Sequence, residues 1–221
     1  HWSLTSGGAP ATCIPTIKDT VIFDQNSGAP GLVSVQQDAF CAFMDWQNVT
    51  GNPEFELFRN VYIREGALLN PTMQVNAGLN TNAFSSKLTF LSDSNNVVFN
   101  TEGISINTFV YFDGASITDT FFLQNDLLLD STFAAFVMLE GTFQSNGNTI
   151  KASRIIMESL SNKRAIIENS TIQLSSGWDA SNAGNSLNVN AQGSLIEVLG
   201  LQAPSFFHGA DADYHNLILR Q

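Results

Sequence analysis

Short β-branched segments separated by turn residues recur through the third quarter of the chain, with no helical segment between them. These segments occupy residues 141–150, 154–157, 164–167 and 170–174. A strand this short cannot bury its apolar side alone, so it needs similar strands stacked above and below it. The pattern therefore predicts an all-β chain that folds as a β-solenoid, coil upon coil.

The spacing of aliphatic residues suggests a register for these coils. Leu128, Ile150, Ile172 and Ile196 follow one another at intervals of 22 to 24 residues, which lies within the range of solenoid repeats. An antiparallel β-sandwich is the alternative, and the Asn146-Gly147 pair could close one of its hairpins. The short strands and the scarcity of two-residue hairpin turns favour the solenoid.

The first quarter of the chain differs from the rest. It holds both cysteines and four of the six prolines. The end of a solenoid exposes its core and an unpaired strand edge, and such ends are normally covered. We therefore predict that residues 1–55 form an N-terminal cap or entry region and that residues 56–221 form the β-helix.

Cys13 and Cys41 both lie in this predicted cap, between turn-rich segments. Sparse lysine, abundant Asn, Ser and Thr, and an acidic composition are typical of extracellular proteins, in which disulfides persist. We therefore expect a Cys13–Cys41 disulfide that pins the cap. Two unrelated buried thiols are the alternative.

The charge of the chain excludes some partners. Nine Lys and Arg oppose 20 Asp and Glu, for a net charge of −11. Nucleic-acid binding depends on neutralising phosphates with basic side chains, so nucleic acid is not expected as a partner. No stretch reaches the ~20 apolar residues that a membrane-spanning helix needs, so membrane insertion is not expected either.

Clustered carboxylates with a nearby base would indicate an enzyme that degrades polysaccharides, acting with Ca²⁺ or by acid–base catalysis. The candidate carboxylates are Asp113, Asp119, Asp126, Asp130, Glu140, Glu158 and Glu168, and the basic candidates are Lys151, Arg154, Lys163 and Arg164. Aspartate is also a common turn residue, because its side chain bonds its own backbone. We therefore assign no catalytic set, and Ca²⁺ is the one cofactor kept open.

Two further groups have ligand-binding residue types. His208, Asp211, Asp213 and His215 have the residue types that hold a metal ion, but their place at the end of the chain beside a glycine turn favours a solvated loop. Three tryptophans could stack on sugar rings, namely Trp2, Trp46 and Trp178. Packing is the alternative for the tryptophans, and the 17 phenylalanines are expected to stack inside the lumen of the solenoid.

Several motifs, taken in order, resemble a module of very large secreted proteins of Bacteroidetes. The N-terminal ones are His1-Trp-Ser-Leu-Thr-Ser-Gly-Gly8, Cys13-Ile-Pro15, Asp19-Thr-Val-Ile-Phe-Asp24 and Cys41 with Met44-Asp-Trp46. The later ones are Gly141-Thr-Phe-Gln-Ser-Asn-Gly-Asn-Thr149, Ser170-Thr-Ile-Gln-Leu174 with Trp178, and Tyr214-His-Asn-Leu-Ile-Leu219. The segment His208-Gly-Ala departs from the glycine-rich pair expected there.

The resemblance implies a right-handed parallel β-helix in an adhesin-like or gliding-associated surface protein exported by the type IX system. It also implies that the two cysteines form a matched pair, and it carries no catalytic residues. We therefore expect a non-catalytic extracellular or cell-surface module that acts in adhesion or as a stalk, with a glycan or protein as its ligand. Further domains of the same protein are expected after Gln221. The competing function is a carbohydrate-active enzyme or a carbohydrate-binding β-helix.

Overall fold

The regular structure of the chain consists of β-strands. The computed structural model describes residues 3–9, 12–27, 31–78, 86–93, 96–129, 133–158, 161–183, 186–200, 205–210 and 212–220. No α-helix occurs in these ranges. The strands are β1 (Thr20–Asp24), β2 (Leu32–Val35), β3 (Ala39–Asn48), β4 (Glu54–Leu57), β5 (Val61–Leu68), β6 (Gln74–Ala77), β7 (Lys87–Ser92), β8 (Val97–Asn100), β9 (Ile106–Asn107), β10 (Phe109–Gly114), β11 (Thr120–Leu123), β12 (Leu127–Leu128), β13 (Ala135–Gln144), β14 (Ile150–Met157), β15 (Lys163–Ile166), β16 (Thr171–Asp179), β17 (Leu187–Asn190), β18 (Leu195–Val198), β19 (Phe206–His208) and β20 (Asn216–Leu219).

The strands stack into three parallel sheet faces, called A, B and C, and the chain passes through them in the same order in each coil. Face A runs β3-β5-β7-β10-β13-β14-β16-β19. Face B runs β1-β3-β5-β8-β11-β13-β15-β17. Face C runs β2-β4-β6-β9-β12-β14-β16-β18-β20, with a Ser105–Leu128 bridge between β9 and β12. The result is a parallel β-solenoid of about eight turns, so the predicted all-β solenoid is confirmed. The right-handed sense of the solenoid stays a prediction.

Aromatic rings fill the lumen where faces A and B meet. Phe90, Phe99, Phe112 and Phe136 are each no more than 1% exposed. Their neighbouring rings lie close together, with centroids 4.4 Å apart for Phe90–Phe99 and 5.0 Å apart for Phe112–Phe136. The predicted internal stack is therefore confirmed for these rings, whereas Phe40 and Phe133 are 42% and 54% exposed. The coils share one continuous apolar core.

The predicted aliphatic register holds for three of its four residues. Ile150 pairs with Ile172, and Ile172 pairs with Ile196. Leu128 instead pairs with Lys151, and its neighbour Leu127 stands opposite Ile150. Because side chains alternate along a strand, a shift of one residue moves a side chain to the other side of the sheet. Leu127 is accordingly buried, whereas Leu128 is half-exposed.

The predicted Cys13–Cys41 disulfide is wrong, because both thiols are free in the structure. Cys41 lies on β3 with its side chain in the lumen, where 2% of it is exposed. Cys13 is exposed in the segment before β1. A side chain enclosed by the core cannot bond one on the outer surface without moving the strand, so no disulfide pins the N-terminal region.

We expect the two cysteines to differ in reactivity. Burial raises the pKa of the Cys41 thiol to about 12, so it holds almost no thiolate near neutral pH. A maleimide reagent at pH 7 should therefore label one thiol per folded chain and two after denaturation. Mass spectrometry of the labelled peptides would identify Cys13 as the native site. Native labelling of neither cysteine would contradict the structure.

Parallel pairing begins inside the segment predicted as a cap. β1 pairs with β3 from Thr20 onward, and Val21 and Phe23 are buried in the core. At the opposite end, β20 pairs only with β18 among the described strands. Leu217 and Leu219 of β20 are 40% and 60% exposed. The expectation that further domains cover this edge stays a prediction.

Candidate binding groove on face B

A groove of about 570 Å³ crosses the outer surface of face B. Its floor comes from β11, β13, β15 and β17, which are neighbours in consecutive coils. One row of outward side chains consists of Thr120, Thr142, Arg164 and Asn188, each paired with the next. The row beside it includes Gln144 and Ile166. The solenoid register thus brings together residues that are 22 to 24 positions apart in the sequence.

The turn between β10 and β11 forms one wall of the groove. The carboxylate of Asp119 accepts hydrogen bonds from the backbone N–H groups of Ala115 and Ser116, both at 2.8 Å. The hydroxyl of Thr142 donates to the carbonyl oxygen of Ile117 at 2.6 Å. Ile117 is 38% exposed and lines the groove. The wall is therefore held in place by its own buried carboxylate and by the floor.

Two glycines make room for this wall. Gly141 has a φ of +106°, and a Cβ at that position would lie 3.0 Å from the carbonyl oxygen of Asp119 and 2.9 Å from the Phe121 ring. A Cβ at Gly114 would lie 3.1 Å from the Cβ of Asp119. Side chains at these positions would push the turn away from the sheet, so the shape of the groove depends on both glycines.

Arg164 supplies the only charge in the lining of the groove. Its side chain is exposed, and it makes no ion pair or hydrogen bond with any residue that the structure describes. The polar residues around it are neutral amides and hydroxyls, such as Gln144, Asn188 and Thr120. The groove is thus locally basic on a chain whose net charge is −11.

Two of the three tryptophans predicted to bind sugars do not lie at the surface. Trp46 and Trp178 are 1% and 0% exposed, and they pack in the lumen. Trp46 stacks on Phe23 with ring centroids 3.7 Å apart, and Trp178 packs edge-on against Tyr214 at 5.5 Å. The packing alternative therefore describes both rings. Trp2 lies outside the described residues.

The predicted metal ligands are only partly placed. His208 on β19 faces Asp179 on β16, with 3.6 Å between Nδ1 and Oδ1. Partial burial opposes ionisation of Asp179, but hydrogen bonds from Ser181 and the facing His208 keep its pKa below the ordinary value. Asp213 and His215 are exposed, and Asp211 lies outside the described residues. Within the described ranges, no three His, Cys, Asp or Glu side chains group closely enough to hold a metal ion.

One pair of the predicted carboxylates does come together, on the outer side of face A. Asp113 on β10 is the cross-strand partner of Glu140 on β13. Burial and the charge of Glu140 raise the pKa of Asp113, while Lys87 acts in the opposite direction. The Lys87 ammonium also lies 4.3 Å from the centroid of the Tyr111 ring. These groups form a second, acidic candidate site.

Sequence reasoning missed the groove, although it singled out Arg164. The signal available was the spacing of the row itself, since Thr120, Thr142 and Arg164 follow at intervals of 22 residues and Asn188 follows after 24. These are the intervals of the aliphatic register. Extending that register to polar residues would have placed the row on one face.

Comparisons with known proteins identify no relative for this chain. No protein-family model matches it, and no curated protein or solved structure does so either. The resemblance to Bacteroidetes surface modules stays a prediction. In the described part of the chain, no helix is long and apolar enough to cross a membrane.

Proposed function

We propose that this chain is a non-catalytic module of a secreted or cell-surface protein, which acts as a rigid stalk with an adhesin-like binding surface on its side. The continuous apolar core carries this proposal. Coils that share one interdigitated core cannot bend without losing packing contacts, so the rod holds its outer faces in a fixed relation. Export by the type IX system belongs to the same proposal and rests on the motif resemblance.

The outer surface of the solenoid suits lateral binding. In each coil the backbone N–H and C=O groups are used in sheet pairing, so an outer face offers side chains to a ligand. On face B these side chains form a groove with a fixed wall. The stalk thus carries a preorganised surface, which reduces the entropy lost when a ligand binds.

A carbohydrate-active enzyme is the second candidate, and the Asp113–Glu140 pair favours it. A carboxyl group with a raised pKa can act as a general acid when a second carboxylate lies nearby. The same pair could instead hold Ca²⁺ through its oxygen atoms. Either role predicts that turnover or Ca²⁺ binding depends on Asp113.

The two functions are separated by incubating the purified chain with pectin, alginate and host glycans. We expect binding without new reducing ends and without unsaturated products that absorb in the ultraviolet. If turnover is seen, Asp113→Asn and Glu140→Gln test whether it depends on the two carboxylates. Product formation that disappears in both variants would overturn the non-catalytic proposal and establish the enzyme.

A further inference from the structure

We infer that the face B groove binds a glycan chain that carries carboxylate groups, with the guanidinium of Arg164 pairing with a uronic-acid carboxylate. This inference rests on the proposed function, because it names the ligand of the lateral surface. It assigns no catalytic role to any residue of the groove.

The shape of the groove favours an extended ligand. Four consecutive coils contribute side chains to its floor, and neighbouring strands in a sheet lie about 4.8 Å apart. The groove is open to solvent along this row, and the turn that carries Ile117 stands at one side of it. A linear chain of sugar rings laid across the strands would meet a new set of side chains at each coil.

The chemistry of the lining favours a sugar. The amides of Gln144 and Asn188 and the hydroxyl of Thr120 can each donate and accept hydrogen bonds, as sugar hydroxyls require. Ile117 and Ile166 offer apolar contacts for the C–H surface of a ring. The fork of N–H donors on Arg164 matches a carboxylate, with which it can form two parallel hydrogen bonds.

The net charge of the chain does not prevent an anionic ligand from binding here. The carboxylates of Asp119 and Glu168 do not line the groove, since Asp119 accepts two backbone N–H groups of the turn and Glu168 accepts a hydrogen bond from Asn190. At physiological salt, charges separated by more than about 8 Å are largely screened. A carboxylate in the groove therefore interacts mainly with Arg164.

A peptide fits the groove less well than a glycan. An extended peptide usually satisfies its backbone N–H and C=O groups by adding to the edge of a sheet. Three of the four strands of the groove floor, β11, β13 and β15, have neighbours on both sides, whereas β17 pairs only with β15 among the described strands. A peptide lying across this face would have to satisfy its amides from a few side chains.

The test measures binding of pectin and alginate oligosaccharides by isothermal titration calorimetry. We expect the acidic oligosaccharides to bind and the methyl-esterified galacturonate oligosaccharide, which is neutral, to bind at least about tenfold more weakly. Arg164→Gln should weaken the acidic ligands by a similar factor, since it removes both the charge and the paired N–H donors that a carboxylate would meet. Arg164→Lys should restore part of the affinity, because it keeps the charge but loses the fork.

Lys18→Gln is the matched control, because Lys18 is exposed near the N-terminus and the substitution changes the net charge equally. It should leave the affinity unchanged, and thermal melts should show that all variants remain folded. Equal binding of the neutral and acidic forms would overturn the carboxylate inference. Binding that persists in Arg164→Gln would overturn the site. Arg164-dependent binding of poly-glutamate, without glycan binding, would indicate an acidic protein ligand. That result would overturn the inference that the ligand is a glycan.

The failure of this inference and that of the proposed function give different results. If no acidic oligosaccharide binds, the inference about the ligand is wrong, but the proposal of a non-catalytic stalk module is unaffected. If the oligosaccharides are cleaved, the non-catalytic proposal is wrong, whatever Arg164→Gln does to their affinity.

Discussion

Ile172→Asp should destabilise the chain by about 4 to 5 kcal/mol, which is a large fraction of the roughly 5 to 15 kcal/mol by which domains are typically stable. Ile172 is 0% exposed on β16 and is stacked between Ile150 and Ile196 in the lumen. The variant would bury a carboxylate among apolar side chains, where burying an isolated charge is costly. Urea unfolding followed by fluorescence measures the effect, because Trp46 and Trp178 report the state of the core.

The penalty should also depend on pH. Burial raises the pKa of the introduced carboxyl above its unfolded value of about 3.9. The folded state then binds more protons than the unfolded state, so the stability of the variant falls as pH rises through that window. The variant should be less destabilised at pH 4 than at pH 7, relative to the parent chain.

Thr171→Asp is the matched control, since it places the same charge one residue earlier. Thr171 is half-buried and lies on the outer side of the strand, opposite to Ile172. Its substitution should cost less than about 1 kcal/mol. Equal urea midpoints for the two variants would mean that Ile172 does not face a dry lumen.

The solenoid could be predicted from sequence because its signal is repeated. Each coil needs short strands and turn residues, so an error in one coil does not remove the pattern. The register is more sensitive, and Leu127 and Leu128 show why. Both are leucines, so nothing in the sequence indicates which of them faces inward. Their orientation follows from pairing with Ile150, a long-range contact.

In strands that are apolar on both sides, the alternation of apolar and polar residues is lost and cannot show which side chains face the core. Val137 is buried, but it belongs to a separate cluster with Phe109 and Ala135, apart from the main core. Its neighbours Phe136 and Met138 belong to the core cluster. When both sides of a strand are apolar, the sequence shows that the strand is buried but not which side faces the core.

The burial of long polar side chains is also difficult to predict from the sequence, for a different reason. Lysine is rarely fully buried, but Lys163 begins β15 and is 0% exposed. Its ammonium donates to the carbonyl oxygen of Ser161 at 2.6 Å, and burial lowers its pKa. The groove was missed for a related reason, because its wall depends on how the turn at Asp119 folds back onto Thr142. Such side chain–backbone contacts leave no periodic signal.

Phe112→Ala should cost about 3 to 5 kcal/mol, the usual range for removing a buried aromatic ring. The Phe112 ring is 0% exposed and lies within 5.5 Å, between centroids, of the rings of Phe90, Phe121, Phe136 and Phe143. Two of these rings belong to face A and two to face B. The substitution would therefore open a cavity at the contact between two faces and across consecutive coils.

The loss of stability in Phe112→Ala should be greatest near the cavity, because each coil of a solenoid contacts mainly its neighbours. Hydrogen exchange should accelerate most on β7, β10 and β13, and less on β1 and β18. Phe40→Ala is the control, since Phe40 is 42% exposed and contacts one ring, Tyr62, at 4.9 Å. Removing it should cost about 1 kcal/mol. A similar loss from both variants would show that the aromatic lumen does not hold the coils together.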